Sequence, residues 1–411
     1  MNTILYISYD GLLEPLGESQ VVNYVERLAA DHAMTVLSFE KPADLSDPDR
    51  LRAMERRLEA QGVNWVKLRY HKLFPTISTA FDVVRGILCA RAVCRRRGVM
   101  IVHARGYVSS LIALAARSAS GARFLFDMRG FWVDEKVEAG HWTSGGILYR
   151  IGKWWEHRFF RSADGIISLT DQGVRAFAEF GHETAPSGLV EVIPTCVDLQ
   201  HFKPGTKESE LVRSLGLTGA CVVGCVGTMS NWYMRHEMLQ YLAYIMRSVG
   251  RARALIVTRE DHCNLQHDAE RVGIPGDRLV FARADFADMP LFIRLFDVGM
   301  FFIRPVASKR GSAATKLAEF LACGVPVIIN DGVGDSGNIV RQGRVGVVLP
   351  RVDVEAFERS LPDVRALLAD REVAGRCRRL AHELFDVERG VHKYRRVYRL
   401  LSSGRGGLTS S

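Results

Sequence analysis

The chain has 411 residues, 47% hydrophobic and 25% charged, which is too long for one ordinary core and fits two domains of roughly 200 residues each. No apolar run reaches the ~18 residues that span a bilayer, and the opening MNTILYISYDG lacks a basic leader, so a secretory signal is not expected. A formal net charge of +9 favours an anionic partner, while the lack of a recognisable basic-aromatic module argues against nucleic acid. Eight cysteines without a CxxC pair predict reduced thiols in a cytosolic protein, with neither a zinc site nor a disulfide frame.

Strand-like and helix-like segments alternate from the start, which predicts parallel sheets with helices on both faces. The first series of strands reads TILYISY, MTVLSF, VNWVKLRY, MIVHA, RFLFDM, GIISLT and VEVIPT, with helices such as SQVVNYVERLAA and DPDRLRAMERRLEAQG between them. The polar stretch 198–214 is the predicted linker, and a second series follows as ACVVGCVG, ARALIVT, DRLVFA, VGMFFI, VPVIIN and RVGVVL. The fold class is therefore α/β, two doubly wound domains with a cleft at the carboxyl ends of their strands. The segment DVERGVHKYRRVYRLL is an amphipathic basic helix, which by itself reads as a surface helix capping the second domain. The last residues, GRGGLTSS, are expected to be disordered.

Polar residues that follow buried strands are the site candidates. After the first strand, Asp10 leads into GLLEPLGESQVVNYVERL, where Gly17 opens a helix with Ser19 as its N-cap. A glycine there either lets a phosphate or sugar approach backbone amides or makes an ordinary turn. VHARGYVSS (102–110) and FDMRGFWVDEKVEAGHW (126–142) place His103, Arg105, Asp127, Arg129, Asp134 and Glu135 at the ligand-binding edge of a parallel sheet. The alternative there is a structural salt-bridge network. RAVCRRRG (91–98) and YRIGKWWEHRFFRS (149–162) are basic and aromatic. They suit a membrane interface, or they bury Trp155 and Phe159 and leave Arg158 and Arg161 in water; the second reading is preferred, with weak attraction to anionic lipid.

In the second half GCVGTMSNWYMRHEM (224–238) follows a strand and carries Thr228 and Arg235. KRGSAATKLAEFLACGVPVIIND (309–331) is the most informative stretch: Ser312, Thr315, Lys316 and Glu319 fall at helical spacing and form one polar stripe, opposite Leu317, Phe320 and Leu321. Gly324 ends this helix, Pro326 prevents its resumption, and 325–329 reads as a buried strand. A carboxylate and an ammonium on one face of a buried helix call for a ligand or partner. The helix N-terminus points to an anion, with a nucleotide diphosphate the obvious candidate; the alternative is a solvated helix face. The turn Val333-Gly334-Asp335-Ser336-Gly337 either lines a sugar or phosphate or is an ordinary loop. Asp47-Pro48-Asp49 has DxD spacing but opens the helix DPDRLRAMERRLEAQG, and no HExxH or EF-hand pattern occurs, so a metal-independent reaction is expected.

The 309–331 segment resembles the donor-binding signature of the family-4 retaining glycosyltransferases. The opening DGLLEPLGESQ, the segments 102–110 and 126–142, and YHKLFPTIST (70–79) are similar to its polysaccharide-building branch. The resemblance spans nearly the whole chain and implies the GT-B fold: a Rossmann-like acceptor-side domain over 1–200, a Rossmann-like donor domain over 201–384, a helix over 385–402 crossing back to the first, and a tail over 403–411. It implies a nucleotide-diphosphate sugar as co-substrate and no cofactor. The acceptor would be a saccharide or lipid-linked saccharide in cell-surface polysaccharide biosynthesis, in the cytoplasm or peripherally at the inner membrane face. By position, Glu319 would hold the ribose hydroxyls, and Lys316, Arg235, Lys309 and the amides near Ser312 would neutralise the diphosphate, with Gly17, Thr228 and Thr315 also at the donor. His103, Arg105 and Arg129 fall on the acceptor side; Arg129, Asp134, Glu135, Arg235 and Lys316 are the catalytic candidates.

Three positions depart from the family pattern. The first of its two glutamates falls on Gly311, the arginine expected after the glycine loop is Thr228, and a histidine near Arg129 is replaced by Met128-Arg129. Two other readings therefore accompany the transferase: a nucleotide-sugar epimerase of the same architecture, and an inactive binding subunit.

Overall fold

The computed structural model describes residues 1–72, 75–183 and 188–403. The expected disordered tail, apart from Ser403, and Leu73 and Phe74 of the YHKLFPTIST phrase lie outside them. The chain forms two compact units, Met1–Pro194 joined by the helix Val387–Ser403, and Thr195–Asp386.

The first unit is built on seven parallel strands: β1 (Asn2–Ser8), β2 (His32–Glu40), β3 (Asn64–Arg69), β4 (Ile101–Arg105), β5 (Arg123–Asp127), β6 (Gly165–Ser168) and β7 (Val190–Val192), in the order β3-β2-β1-β4-β5-β6-β7. Strands buried on both faces read as continuous apolar runs. Alternate residues then serve opposite faces. Leu5, Ile7, Val102 and Ala104 enter one buried cluster with Phe126, Phe159 and Phe160, whereas Tyr6 packs on His103, and His103 meets Tyr394 and Tyr398 of the Val387–Ser403 helix. The helix after β1 starts earlier than its sequence suggests. Pro15, with its backbone already set for a first helical position, begins a turn that continues as the π-helical Glu18–Val22 and then Asn23–Leu28. Ser19 therefore lies inside the helical run and is not its cap.

The second unit has six parallel strands: β8 (Cys221–Val226), β9 (Ala252–Val257), β10 (Leu279–Ala282), β11 (Val298–Phe301), β12 (Val327–Asn330) and β13 (Gly346–Leu349), ordered β10-β9-β8-β11-β12-β13. Gly224 and Gly299 are register partners on β8 and β11. A β-carbon at Gly224 would overlap the Phe296 ring, and one at Gly299 would sit 2.5 Å from the Phe320 ring. The two rings, 5.8 Å apart and edge to face, thus rest directly on the sheet. The chain enters this unit at Thr195, before the expected linker begins. Leu199 and Phe202 are buried in its core, and Arg378 donates to the carbonyls of Leu199, Phe202 and Ala322. Leu199 and Phe202, with Leu211 and Val212 packed against the same core, tie the stretch down.

Candidate functional site

Strand addition in the second unit reverses between β8 and β11, the point of a doubly wound sheet where ligands bind. Gly227 follows β8 with φ of 79°, and a β-carbon there would lie 3.3 Å from Cε of Lys316. Lys316, in the first turn of the Thr315–Ala322 helix, donates to the Thr228 carbonyl at 3.2 Å. Its Nζ lies 3.5 Å from the centroid of the Tyr233 ring. Burial holds its amine down to about 7, against the opposing pull of Cys225, Glu319 and Glu260. Glu319, one turn on, is pushed up to about 7 by burial, partly offset by Lys316. Among the described residues no hydrogen bond or ion pair holds its carboxylate. An anion arriving here would draw Lys316 into its charged form, and an ionised Glu319 would accept from hydroxyl donors.

The other second-unit candidates divide. Lys309 is buried in the 3₁₀ turn Ala307–Gly311 with Nζ 3.8 Å from the centroid of Trp232, and its carbonyl accepts from Gly334 at 3.0 Å, which ties the glycine-rich turn 333–337 to this loop. Ser312 is not on the helical stripe. Its N–H closes the 3₁₀ turn onto the Lys309 carbonyl at 3.1 Å, its backbone is extended, and the helix begins only at Thr315. Arg235 donates to Glu260 at 2.8 Å and Asp268 at 3.2 Å, so two carboxylates already neutralise the cation expected to meet the diphosphate. Thr228 donates to the same Glu260.

Glu260 is a residue that the sequence reading missed. It accepts from Ser230 Oγ at 2.6 Å and from the Met229 and Ser230 amides at 3.2 Å, and so shapes the whole loop after β8. Burial raises its carboxyl, but Ser230, Thr228 and Arg235 outweigh that and hold it below its ordinary range. The available signal was an acid pair just past a buried strand, in TRED at 258–261.

In the first unit the sites predicted from sequence are mostly structural. Gly17 is buried, and a β-carbon there would overlap the Gly11 carbonyl oxygen. It permits close packing of the loop after β1. His103 is fully buried, with Nδ1 2.7 Å from the Tyr398 hydroxyl and Nε2 3.4 Å from Asp127. It therefore faces the protein interior and not an acceptor. Burial lowers its pKa, against the pull of Asp127. Asp127 also receives Arg129 at 3.4 Å and Tyr394 at 3.1 Å. Although burial opposes ionisation, Arg129, His103 and Arg105 hold it well below the usual carboxylate range.

Asp134 is clamped by Lys153 at 2.6 Å, and Lys153 also binds Glu156 at 2.6 Å. Glu135 is its neighbour on the Trp132–Glu138 helix. This is the salt-bridge alternative, and it ties Asp134 into the packing between two helices. Arg105 differs: it is 6% exposed, its Nε and Nη1 lack hydrogen-bond partners among the described residues, and Asp10 stands 3.7 Å away across the β1–β4 switch point.

Residues 17–196 match the model of a glycosyl transferase 4-like domain and 220–366 that of glycosyl transferases group 1. No curated protein matches the sequence. Among solved structures the chain is similar to sucrose-phosphate synthase from Thermosynechococcus elongatus, at 17% identity and TM-score 0.75, over 98% of this chain and 100% of that one. It is similar to Anabaena HepE in complex with UDP-glucose, at 17% identity and TM-score 0.69, over 98% and 100%. A glycosyltransferase from Rickettsia africae follows at 13% identity and TM-score 0.71, over 97% and 98%. These likenesses carry the fold, GT-B, and the two models carry the family. With glycosyltransferase models on both units and two doubly wound sheets beneath them, the chain belongs to the family-4 glycosyltransferases of GT-B fold.

Proposed function

We propose that the protein moves a sugar from a nucleotide-diphosphate sugar to a saccharide or lipid-linked saccharide. The transfer would retain configuration and need no metal. It would serve cell-surface polysaccharide assembly, in the cytoplasm at the inner face of the membrane. One observation carries the reading: Lys316 and Glu319 sit at the second sheet's switch point, the lysine held down to about 7 and the carboxylate, without a partner among the described residues, pushed up to about 7. A diphosphate restores the charge on Lys316, and that charge stabilises the leaving group as negative charge grows on it. Ribose hydroxyls donate to Glu319. The similar HepE, solved with UDP-glucose, supports a nucleotide sugar as donor.

The test is thermal-shift binding and donor hydrolysis across UDP-, GDP-, dTDP- and CMP-sugars, with EDTA present, for wild type and Glu319→Ala. Stabilisation by one nucleotide class, lost in the variant, with slow sugar release is expected. Release of a free epimer would identify the epimerase. No binding by any donor would overturn the catalytic reading in favour of a binding subunit.

A further inference from the structure

Three helices of the first unit lie side by side on one face of its sheet: Pro75–Arg97, Gly106–Arg117 and Ile147–Ser162. Ala90 and Cys94 of the first, Ile112 of the second, and Phe159 and Phe160 of the third all enter the same buried cluster. The first helix turns Ser78, Asp82, Ala90 and Cys94 inward. On its opposite side Ile77, Phe81, Val84 and Leu88, at intervals of four, three and four, are 71%, 53%, 56% and 66% exposed. The third helix leaves Ile147, Ile151 and Trp154 exposed at 77%, 51% and 59%. With Arg150 they line a recess of about 350 Å³. Helices of this kind normally turn their apolar stripe to a core, and an exposed stripe of large side chains marks an interaction surface.

The charges say what covers it. The first helix carries Arg85, Arg91, Arg95, Arg96 and Arg97, and the third carries Arg150, Lys153, Arg158 and Arg161. Each has a single acid, Asp82 or Glu156, and both are fully buried. Asp82 is held by His71 and Tyr9, and Glu156 by Tyr107 and Lys153. The exposed charges on both helices are therefore all positive; Glu183, outside them, pairs with Arg161. Apolar side chains framed by arginines fit an anionic lipid surface: the chains enter the acyl boundary while the guanidiniums stay among headgroup phosphates. A second copy of the chain would set cations against cations. Among the described residues no helix is long and apolar enough to cross a membrane.

We propose that this layer is an interfacial docking face for anionic bilayers. It deepens and rests on the membrane placement given above, but not on the donor chemistry of the second unit. Flotation tests it, with phosphatidylcholine vesicles alone or with about 30 mol% phosphatidylglycerol. Wild type is compared with Phe81→Glu/Trp154→Glu and with Arg95→Gln/Arg96→Gln/Arg97→Gln, all exposed positions. Wild type is expected to float with the anionic vesicles and release in salt. The first variant should bind roughly tenfold less, and the second should bind less and with a weaker salt dependence. Wild type that ignores anionic vesicles, or a Phe81/Trp154 variant that floats equally well, overturns the proposal. So does a dimer in solution that the variant breaks while vesicles stay unbound, since that assigns the face to a second copy. Donor binding, measured on the same samples, reports separately on the transferase reading.

Discussion

Replacing Glu319 by Gln removes a carboxyl group whose ionisation the second unit opposes, since burial pushes it from an ordinary 4.5 up to about 7. A folded pKa above the unfolded one means that folding favours the protonated form. That contribution is complete below the unfolded value and is lost as pH rises through 7. At ~1.4 kcal/mol per unit the shift corresponds to on the order of 3 kcal/mol. Glu319 is only partly buried, and its access to water reduces this to about 2 kcal/mol. Glutamine cannot ionise, so the variant should match wild type near pH 4.5 and exceed it by about 2 kcal/mol at pH 8, a rise of roughly 4–8 °C in the melting of a unit this size. Nucleotide-sugar affinity should move the opposite way, falling in the variant. Thermal unfolding between pH 4.5 and 8.5, followed by circular dichroism, makes the comparison. A variant that melts at or below wild type at pH 8, or a gap that ignores pH, would refute the reasoning. It would mean that the fold already satisfies this carboxylate.

Two further outcomes concern Lys316, beside Glu319, and Gly17 in the first unit. Lys316→Met should lose roughly 1.5–3 kcal/mol of donor affinity. Wild-type affinity should weaken as pH rises above 7, because an amine held down to about 7 must take up a proton when the diphosphate binds; calorimetry in two buffers reads that uptake directly, and its absence would remove Lys316 from the site. Gly17→Ala should destabilise the first unit by about 2–3 kcal/mol through overlap with the Gly11 carbonyl, read by urea unfolding. An unchanged midpoint with lost transfer would return Gly17 to the ligand site.

The strands were legible because a parallel strand covered on both faces is apolar throughout, and each such run ends at a polar or glycine residue. The helix ending at Gly324 was legible for a similar local reason. Partners distant in sequence were not. His103 looks like a cleft-edge residue, yet alternation along β4 turns it toward Tyr398, 295 positions away. Arg235 and Thr228 looked like ligand groups until the fold brought Glu260 to them. Spacing shows that a side chain follows a strand, but not which other loop arrives beside it. Trp154 and Trp155 show the same limit at short range. They are adjacent, yet Trp155 packs on the core and Trp154 faces out, because successive helical residues point about 100° apart.

Gly299 sets the height at which the Lys316–Glu319 pair is displayed. Because β11 projects no side chain there, Phe320 can descend to the sheet and bring its helix with it. A methyl group at Gly299 would lift that helix and move both polar side chains together relative to Gly227. Donor selectivity in such a protein can thus drift through its foundations, with every residue lining the pocket unchanged.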